Sequence, residues 1–295
     1  MKDARYSIKD LENLSGIKAH TLRIWEKRYG ILRPERTDTN IRFYSDSDLK
    51  KLLNVSLLNK HGYKISLLST MNNKDLNNTV LSVTQNDSTT DNHLDILLAA
   101  MIELDEQKFE KIINNAIIHF GFEETVIRVI HPMFEKVGIL WQTGSVNPAQ
   151  EHFVSNLIRQ KILVAIDGII PVFNTEAKSF LLFLPEGEWH ELGLLFYAYF
   201  IKKAGHKVIY LGQSLPFDSL IEASRSVDSD FLFTIMTCSL QDTNSEWYIS
   251  KLSDQFSEKK IFVSGMQVKG LENKMPENVI LIQKVAEFKS ILVNF

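Results

Sequence analysis

Apolar positions fall three apart at Ile8, Leu11, Leu14 and Ile17, directly after Ser7, and Asp10 stands three residues beyond that serine. This spacing predicts a short helix closed at its start by a capping box. Ser15-Gly16 stops it. A second helix is expected over KAHTLRIWEKRY, with Ile24 and Trp25 for packing and Lys18, His20, Thr21, Arg23, Lys27 and Arg28 for polar reach. Gly30 supplies its left-handed stop. Two short helices joined by a tight turn make a helix-turn-helix. After Pro34, ERTDTNIRFYS carries a polar Asp38-Thr39-Asn40 tip and then alternates. Ile41 and Phe43 face one side and Arg42 and Tyr44 the other, which predicts a basic β-wing. The following run, DLKKLLNVSLLNKHGYKISLLSTM, is interrupted at His61-Gly62, and no sustained heptad continues it.

Residues 72–92 contain NNKDLNN and TQNDSTTDN and offer little to bury, the composition of a flexible linker. From His93 to about Ile170 the pattern is helical, with breaks at Asp105, Gly121 and Gly144 to Pro148, so four helices are expected to form a bundle. Strand and helix then alternate from SFLLFLPEGEWH through HKVIYLG, DFLFTIMTCS and KKIFVSG to NVILIQ and a last short helix. That order argues a Rossmann-like, doubly wound parallel sheet. The expected fold is therefore multidomain, α and α/β: a winged helix-turn-helix head at 1–71, a linker at 72–92, a four-helix bundle at 93–174 and the sheet domain at 175–295.

Composition agrees with several buried cores: 44% of the 295 residues are hydrophobic and 23% charged, which excludes a disordered chain. No run approaches eighteen apolar residues and MKDARYSIKD lacks a signal-peptide apolar region, so a cytoplasmic protein with no membrane partner is expected. The single cysteine, Cys238, excludes an internal disulfide and a thiolate zinc cluster, and its neighbours in FLFTIMTC predict an inert core residue. Charge is uneven. Residues 1–65 hold 14 Lys and Arg against 8 Asp and Glu, whereas the remainder holds 19 against 28. A basic head on an acidic body suits one end that meets a polyanion, although a solvated basic face would look the same.

The run YSIKDLENLSGIKAHTLRIWEKRYGILRPERTDTNIRFYSDSDLKKL resembles the winged-helix DNA-binding domain of the MerR family. The resemblance implies that Thr21 and Arg23 on the second helix and Arg42 and Tyr44 on the wing touch double-stranded operator DNA, with Arg28 and Arg36 on phosphates. Arginine suits both tasks because its planar fork donates two parallel hydrogen bonds. Trp25 is expected as core. One short head makes too few contacts for specific binding, so a homo-oligomer, dimer or tetramer, is expected. With no coiled coil after the wing, the C-terminal body is expected to hold the copies together.

In the bundle, Trp141 is followed nine residues later by Glu151-His152. On residue types alone, Glu151 caps a helix and Trp141 is core, or the three converge on a ligand. The run GILWQTGSVNPAQEHFVSNLIRQ resembles the helical cap of cobalamin-binding domains in light-responsive regulators of the CarH and LitR type, which carry this W-x9-EH motif. The resemblance implies that Trp141 lies against the upper face of the corrin and that Glu151 and His152 line the pocket for the 5'-deoxyadenosyl group. Relatives often have a histidine where this chain has Gln142, so a light-made second histidine ligand through that position is closed to it.

Glu188-x-His190-x-x-Gly193 follows the first strand of the sheet domain and resembles the D-x-H-x-x-G signature of base-off, His-on cobalamin domains, with Glu in place of Asp. A neutral imidazole is a good cobalt ligand, and a carboxylate two residues away can bond its other ring nitrogen and fix its tautomer. The resemblance implies His190 as the lower cobalt ligand, Gly193 where the corrin approaches, Thr234 (with Met236 in place of the family's S-x-L) as a hydroxyl for the nucleotide tail, and Ser264-Gly265 in place of Gly-Gly. Ser264 is expected to crowd that tail. The implied function is a DNA-binding repressor controlled by adenosylcobalamin, with methylcobalamin as the alternative form, and by light that breaks the cobalt–carbon bond and changes the assembly. The alternatives are a regulator whose altered body senses another ligand or protein and, less favoured, a corrinoid enzyme or methyl carrier.

Overall fold

A computed structural model of the chain describes residues 6–36, 40–84, 90–142, 147–170, 176–238 and 244–295. Helix α1 (Ile8–Ser15) begins as its spacing predicts: the Ser7 hydroxyl accepts the Asp10 N–H, and the Asp10 carboxylate accepts the Ser7 N–H at 2.7 Å. Gly16 ends it and Gly30 ends α2 (Ala19–Tyr29), both left-handed, at φ 72° and 62°. The wing is short, an antiparallel pair of β1 (Glu35–Arg36) and β2 (Arg42–Phe43), with Arg36 opposite Arg42. Asp38 and Thr39 of the expected tip lie outside the described residues. A second capping box, Ser45 with Asp48, opens α3 (Asp46–Lys60), and α4 (Ile65–Leu68) follows.

The expected flexible linker holds α5 (Asn73–Thr84) and the start of α6 (Thr90–Glu103). Leu76 and Val80, one helical turn apart among Asn and Thr, are buried, and that pair overrides the polar composition. Three further rods complete the helical part. They are α7 (Glu106–Phe120), then α8 (Phe122–Thr125) running through a π-helical turn at Val126–Ile130 into α9 (His131–Gln142), and α10 (Pro148–Asp167).

Head and bundle form one compact unit, Met1–Leu157, and the chain divides inside α10 rather than at 174. The reason lies in α3, where Leu49, Leu52, Leu53, Val55, Leu57 and Leu58 are all buried, so the helix is covered on every side, as a helix inside a larger core must be. Its lysines also reach bundle acids: Lys50 pairs with Glu103, and Lys60 lies 3.0 Å from the buried Asp95.

The second unit, Ile158–Phe295, is built on a parallel sheet. Its strands are β3 (Ser179–Pro185), β4 (Lys207–Leu215), β5 (Phe231–Ile235), β6 (Lys260–Ser264) and β7 (Val279–Leu281), in the order β4-β3-β5-β6-β7. On one face Leu181, Phe183, Leu232, Met236 and Val263 pack with α12 (Phe217–Ser226) and α13 (Ser245–Gln255). On the other, Phe180, Phe233 and Phe262 meet Tyr197 of α11 (Leu192–Lys203) and Phe288 of α14 (Val285–Val293). Fully apolar strands are what a sheet covered on both faces requires. Among the described residues, no helix is long and apolar enough to cross a membrane.

Candidate functional site

In the head, α2 presents Arg23, Lys27 and Arg28 to solvent, with Thr21 half-buried and the Arg28 guanidinium 5.6 Å from the Tyr29 ring centre. Trp25 is core, as expected, but Ile24 is 51% exposed beside the arginines and does not pack. On the wing Arg36 and Arg42 are exposed. Arg36 Nη1 donates to Asn40 Oδ1 at 2.5 Å, and Arg42 Nε donates to Glu26 Oε1 at 3.2 Å. Glu26 thereby ties wing to helix. Tyr44 corrects the expectation of a DNA contact: it is fully buried, pairs with Tyr6 through a backbone bridge and donates its hydroxyl to Glu26 Oε2 at 3.1 Å. Strand β2 ends at Phe43, so the alternation that would carry Tyr44 outward stops one residue too soon. Burial and the negative charge of Glu26 push its phenol well above the ordinary range.

Strand order in the sheet places a switch point between β3 and β5, because the chain leaves β3 for α11 on one face and β5 for α13 on the other. Ligands of such sheets bind in the crevice between the two departing loops. Both loops here converge on Glu188, whose side chain is completely buried. Gly187 takes φ 82°, its N–H donates to Ser214 Oγ, and the Ser214 N–H returns to the Glu188 carbonyl, which pins the β3 loop to the end of β4.

The Glu188 carboxylate takes four N–H groups. Oε1 accepts the backbone N–H of His190 at 3.0 Å and its ring Nδ1 at 2.7 Å, while Oε2 accepts Thr237 N–H at 2.6 Å and Cys238 N–H at 2.8 Å. Burial alone would raise the carboxyl. The bonds from His190, Cys238 and Thr237 outweigh it and hold the pKa at about 2. An anionic acceptor on Nδ1 selects the tautomer with its lone pair on Nε2, on a ring that is 57% exposed.

Cys238 is exposed rather than core, because the apolar run that precedes it ends at the sheet's carboxyl edge. Its Sγ lies 3.6 Å from His190 Nδ1 and 4.0 Å from Nε2. Burial and the charge of Glu188 push the thiol up, so it stays protonated at neutral pH. Glu188, His190 and Cys238 bring ligand-type atoms within 4.8 Å of one another. With the carboxylate engaged by N–H donors and the sulfur protonated, imidazole Nε2 is the cluster's natural donor to a metal.

Thr234 lies on β5 with its hydroxyl fully buried and, among the described residues, without a hydrogen-bond partner. By strand alternation it shares a face with Leu232 and Met236. Gly265 takes φ 116°, and a Cβ there would stand 2.2 Å from the Met236 carbonyl oxygen, so no other residue fits. Gly193 is the second residue of α11, and a Cβ there would stand 3.1 Å from Ile235 Cδ1. Ser264 does not crowd the Thr234 face as expected. It alternates to the other side, where its hydroxyl donates to the Ile282 carbonyl at 2.8 Å beside Tyr197.

In the first unit, Glu151 closes the first turn of α10 and His152 follows it. Glu151 accepts the Ser155 hydroxyl at 2.6 Å, and the largely exposed His152 ring lies 3.5 Å from Glu151 Oε2. Trp141 and Gln142 end α9, and their side chains lie outside the described residues. Sequence reasoning missed the orphaned hydroxyl of Tyr248 on α13 and the proximity of Cys238 to His190, since both depend on how separate elements meet.

Residues 6–73 match the family described as MerR HTH family regulatory protein, and residues 94–165 match the B12 binding domain. The chain is 28% identical over 250 residues to the HTH-type transcriptional repressor CarH of Myxococcus xanthus, across 82% of this chain and 83% of that protein. It is 25% identical over 225 residues to the HTH-type transcriptional repressor CarA of the same organism, across 76% and 73%. Among solved structures it is similar to the monomethylamine corrinoid protein of Methanosarcina barkeri, with a TM-score of 0.54 at 13% identity, covering 66% of this chain and 94% of that one. That likeness speaks for the fold.

Proposed function

We propose that this chain, a MerR-family transcriptional regulator with a B12 binding domain, is a repressor whose grip on operator DNA is set by bound adenosylcobalamin and released by light. The observation that carries the reading is the Glu188–His190 pair at the switch point, a buried carboxylate that holds an exposed imidazole with Nε2 as its donor atom. The residues fit a corrinoid. His190 would ligate the cobalt, and the Thr234 hydroxyl, buried and without a partner among the described residues, would supply a hydrogen bond for a nucleotide tail; Gly265 lets the loop after β6 pack against the Met236 backbone. Trp141, Glu151 and His152 are assigned to the same cofactor by the W-x9-EH resemblance alone, and Gly193, where a Cβ would stand 3.1 Å from Ile235 Cδ1, lets the start of α11 lie close against β5. When bound, adenosylcobalamin supplies a cobalt–carbon bond that green or blue light cleaves.

At the other end, Arg23 and Thr21 would read base edges, Arg42 would enter from the wing, and Arg28 and Arg36 would hold phosphates. Copies joined through their C-terminal bodies share a high effective concentration at adjacent half-sites, and splitting the assembly removes that avidity without altering a DNA contact. Size-exclusion chromatography with an in-line absorption spectrum, run with adenosylcobalamin in darkness and after illumination, tests this. The expected result is a coloured oligomer that becomes smaller in light. A colourless protein that still binds DNA would instead favour a body that senses another ligand or a protein.

A further inference from the structure

We propose that Tyr248 is a second hydroxyl donor for the heteroaromatic tail of the corrinoid, acting with Thr234 to favour corrinoids that carry such a tail; this rests on the corrinoid reading above. Tyr248 sits on α13 and is 6% exposed, and among the described residues its hydroxyl has no hydrogen-bond partner. Thr234, on the central strand β5, presents a second such hydroxyl to the same layer, since its neighbours Leu232 and Met236 pack in one cluster with Tyr248. A single buried hydroxyl without a partner is a cost to folding. Two in one apolar layer, Thr234 from the sheet and Tyr248 from the helix packed on it, are what a polar ligand would satisfy.

The surroundings define the ligand's chemistry. The Tyr248 ring meets Phe217 edge-on at 5.8 Å, and Phe183 belongs to the same cluster, so an aromatic ring would find aromatic walls. Burial pushes the phenol well above its ordinary range, and the charge of Glu186, on the loop after β3, adds to the rise. The hydroxyl therefore stays protonated and donates. A tail with acceptor atoms, such as the ring nitrogen of a benzimidazole or the oxygens of its ribose, matches two donors.

Tyr248→Phe in the full chain tests this through absorption titrations in darkness with cobalamin and with cobinamide, which lacks the nucleotide tail. The expected result is about three- to tenfold weaker binding of cobalamin, the range of one lost net hydrogen bond, with cobinamide affinity unchanged and the melting temperature of the ligand-free protein not lowered. Thr234→Val should repeat the pattern. Unchanged cobalamin affinity in Tyr248→Phe, or an equal loss for cobinamide, would overturn the assignment. If the unaltered protein binds neither corrinoid, the corrinoid reading falls, and this inference with it.

Discussion

Replacing Glu188 with Gln keeps the size of the side chain and removes the charge that four N–H groups surround. Burial works against that charge, and the hydrogen bonds more than compensate, bringing the pKa from 4.5 to about 2. By linkage this difference is worth about 3 kcal/mol of folding free energy at neutral pH. Because the folded-state value is the lower one, the contribution is complete above about pH 5, falls to about 1 kcal/mol near pH 3 and is gone below about pH 2. Urea unfolding of the second unit, followed through Trp189 and Trp247, should show Glu188→Gln less stable by about that amount at pH 7, with a gap that narrows steadily towards pH 3. A loss under about 0.5 kcal/mol at pH 7, or a gap independent of pH, would refute the claim that this buried carboxylate organises the loop.

The remaining predictions concern separate parts of the chain. His190→Ala should weaken cobalamin retention and abolish any ligand-dependent change in assembly, and should also lower the melting temperature of the ligand-free protein, because the buried Glu188 carboxylate loses its 2.7 Å ring N–H donor; an undiminished light response would remove His190 as lower ligand. Arg42→Ala should weaken operator binding by about 1–3 kcal/mol in a mobility-shift titration and leave cobalamin uptake intact, whereas Tyr44→Phe should cost about 1 kcal/mol of stability and leave DNA affinity unchanged. Leu76→Ala should destabilise the first unit by about 2–5 kcal/mol in thermal or urea unfolding, where a flexible linker would lose nothing.

Much of this architecture is written locally. Ser7 with Asp10, Gly16, Gly30 and the Glu188-x-His190 spacing each act within a few residues, and the structure realises all of them. The alternation of strand and helix after residue 178 likewise gives the parallel sheet directly, because fully apolar strands need helices on both faces. What was missed is tertiary. Tyr44 turns inward because the wing strand is two residues long, and Cys238 is exposed because its apolar run ends where the sheet ends. Residues 73–84 are helical because Leu76 and Val80 find a neighbouring core, which composition alone does not reveal. Ser264 faces Tyr197 rather than Thr234 because strand register decides it, and Tyr248 looks like an ordinary core aromatic until its hydroxyl is seen without a partner among the described residues.

Electron paramagnetic resonance of the chain loaded with Co(II) cobalamin bears most directly on His190 as the metal's lower ligand. Protein labelled with 15N only at histidine should turn the nitrogen triplet on each cobalt line into a doublet, and His190→Ala should remove that doublet. A triplet that persists in the labelled protein, or a doublet that survives His190→Ala, would contradict the assignment.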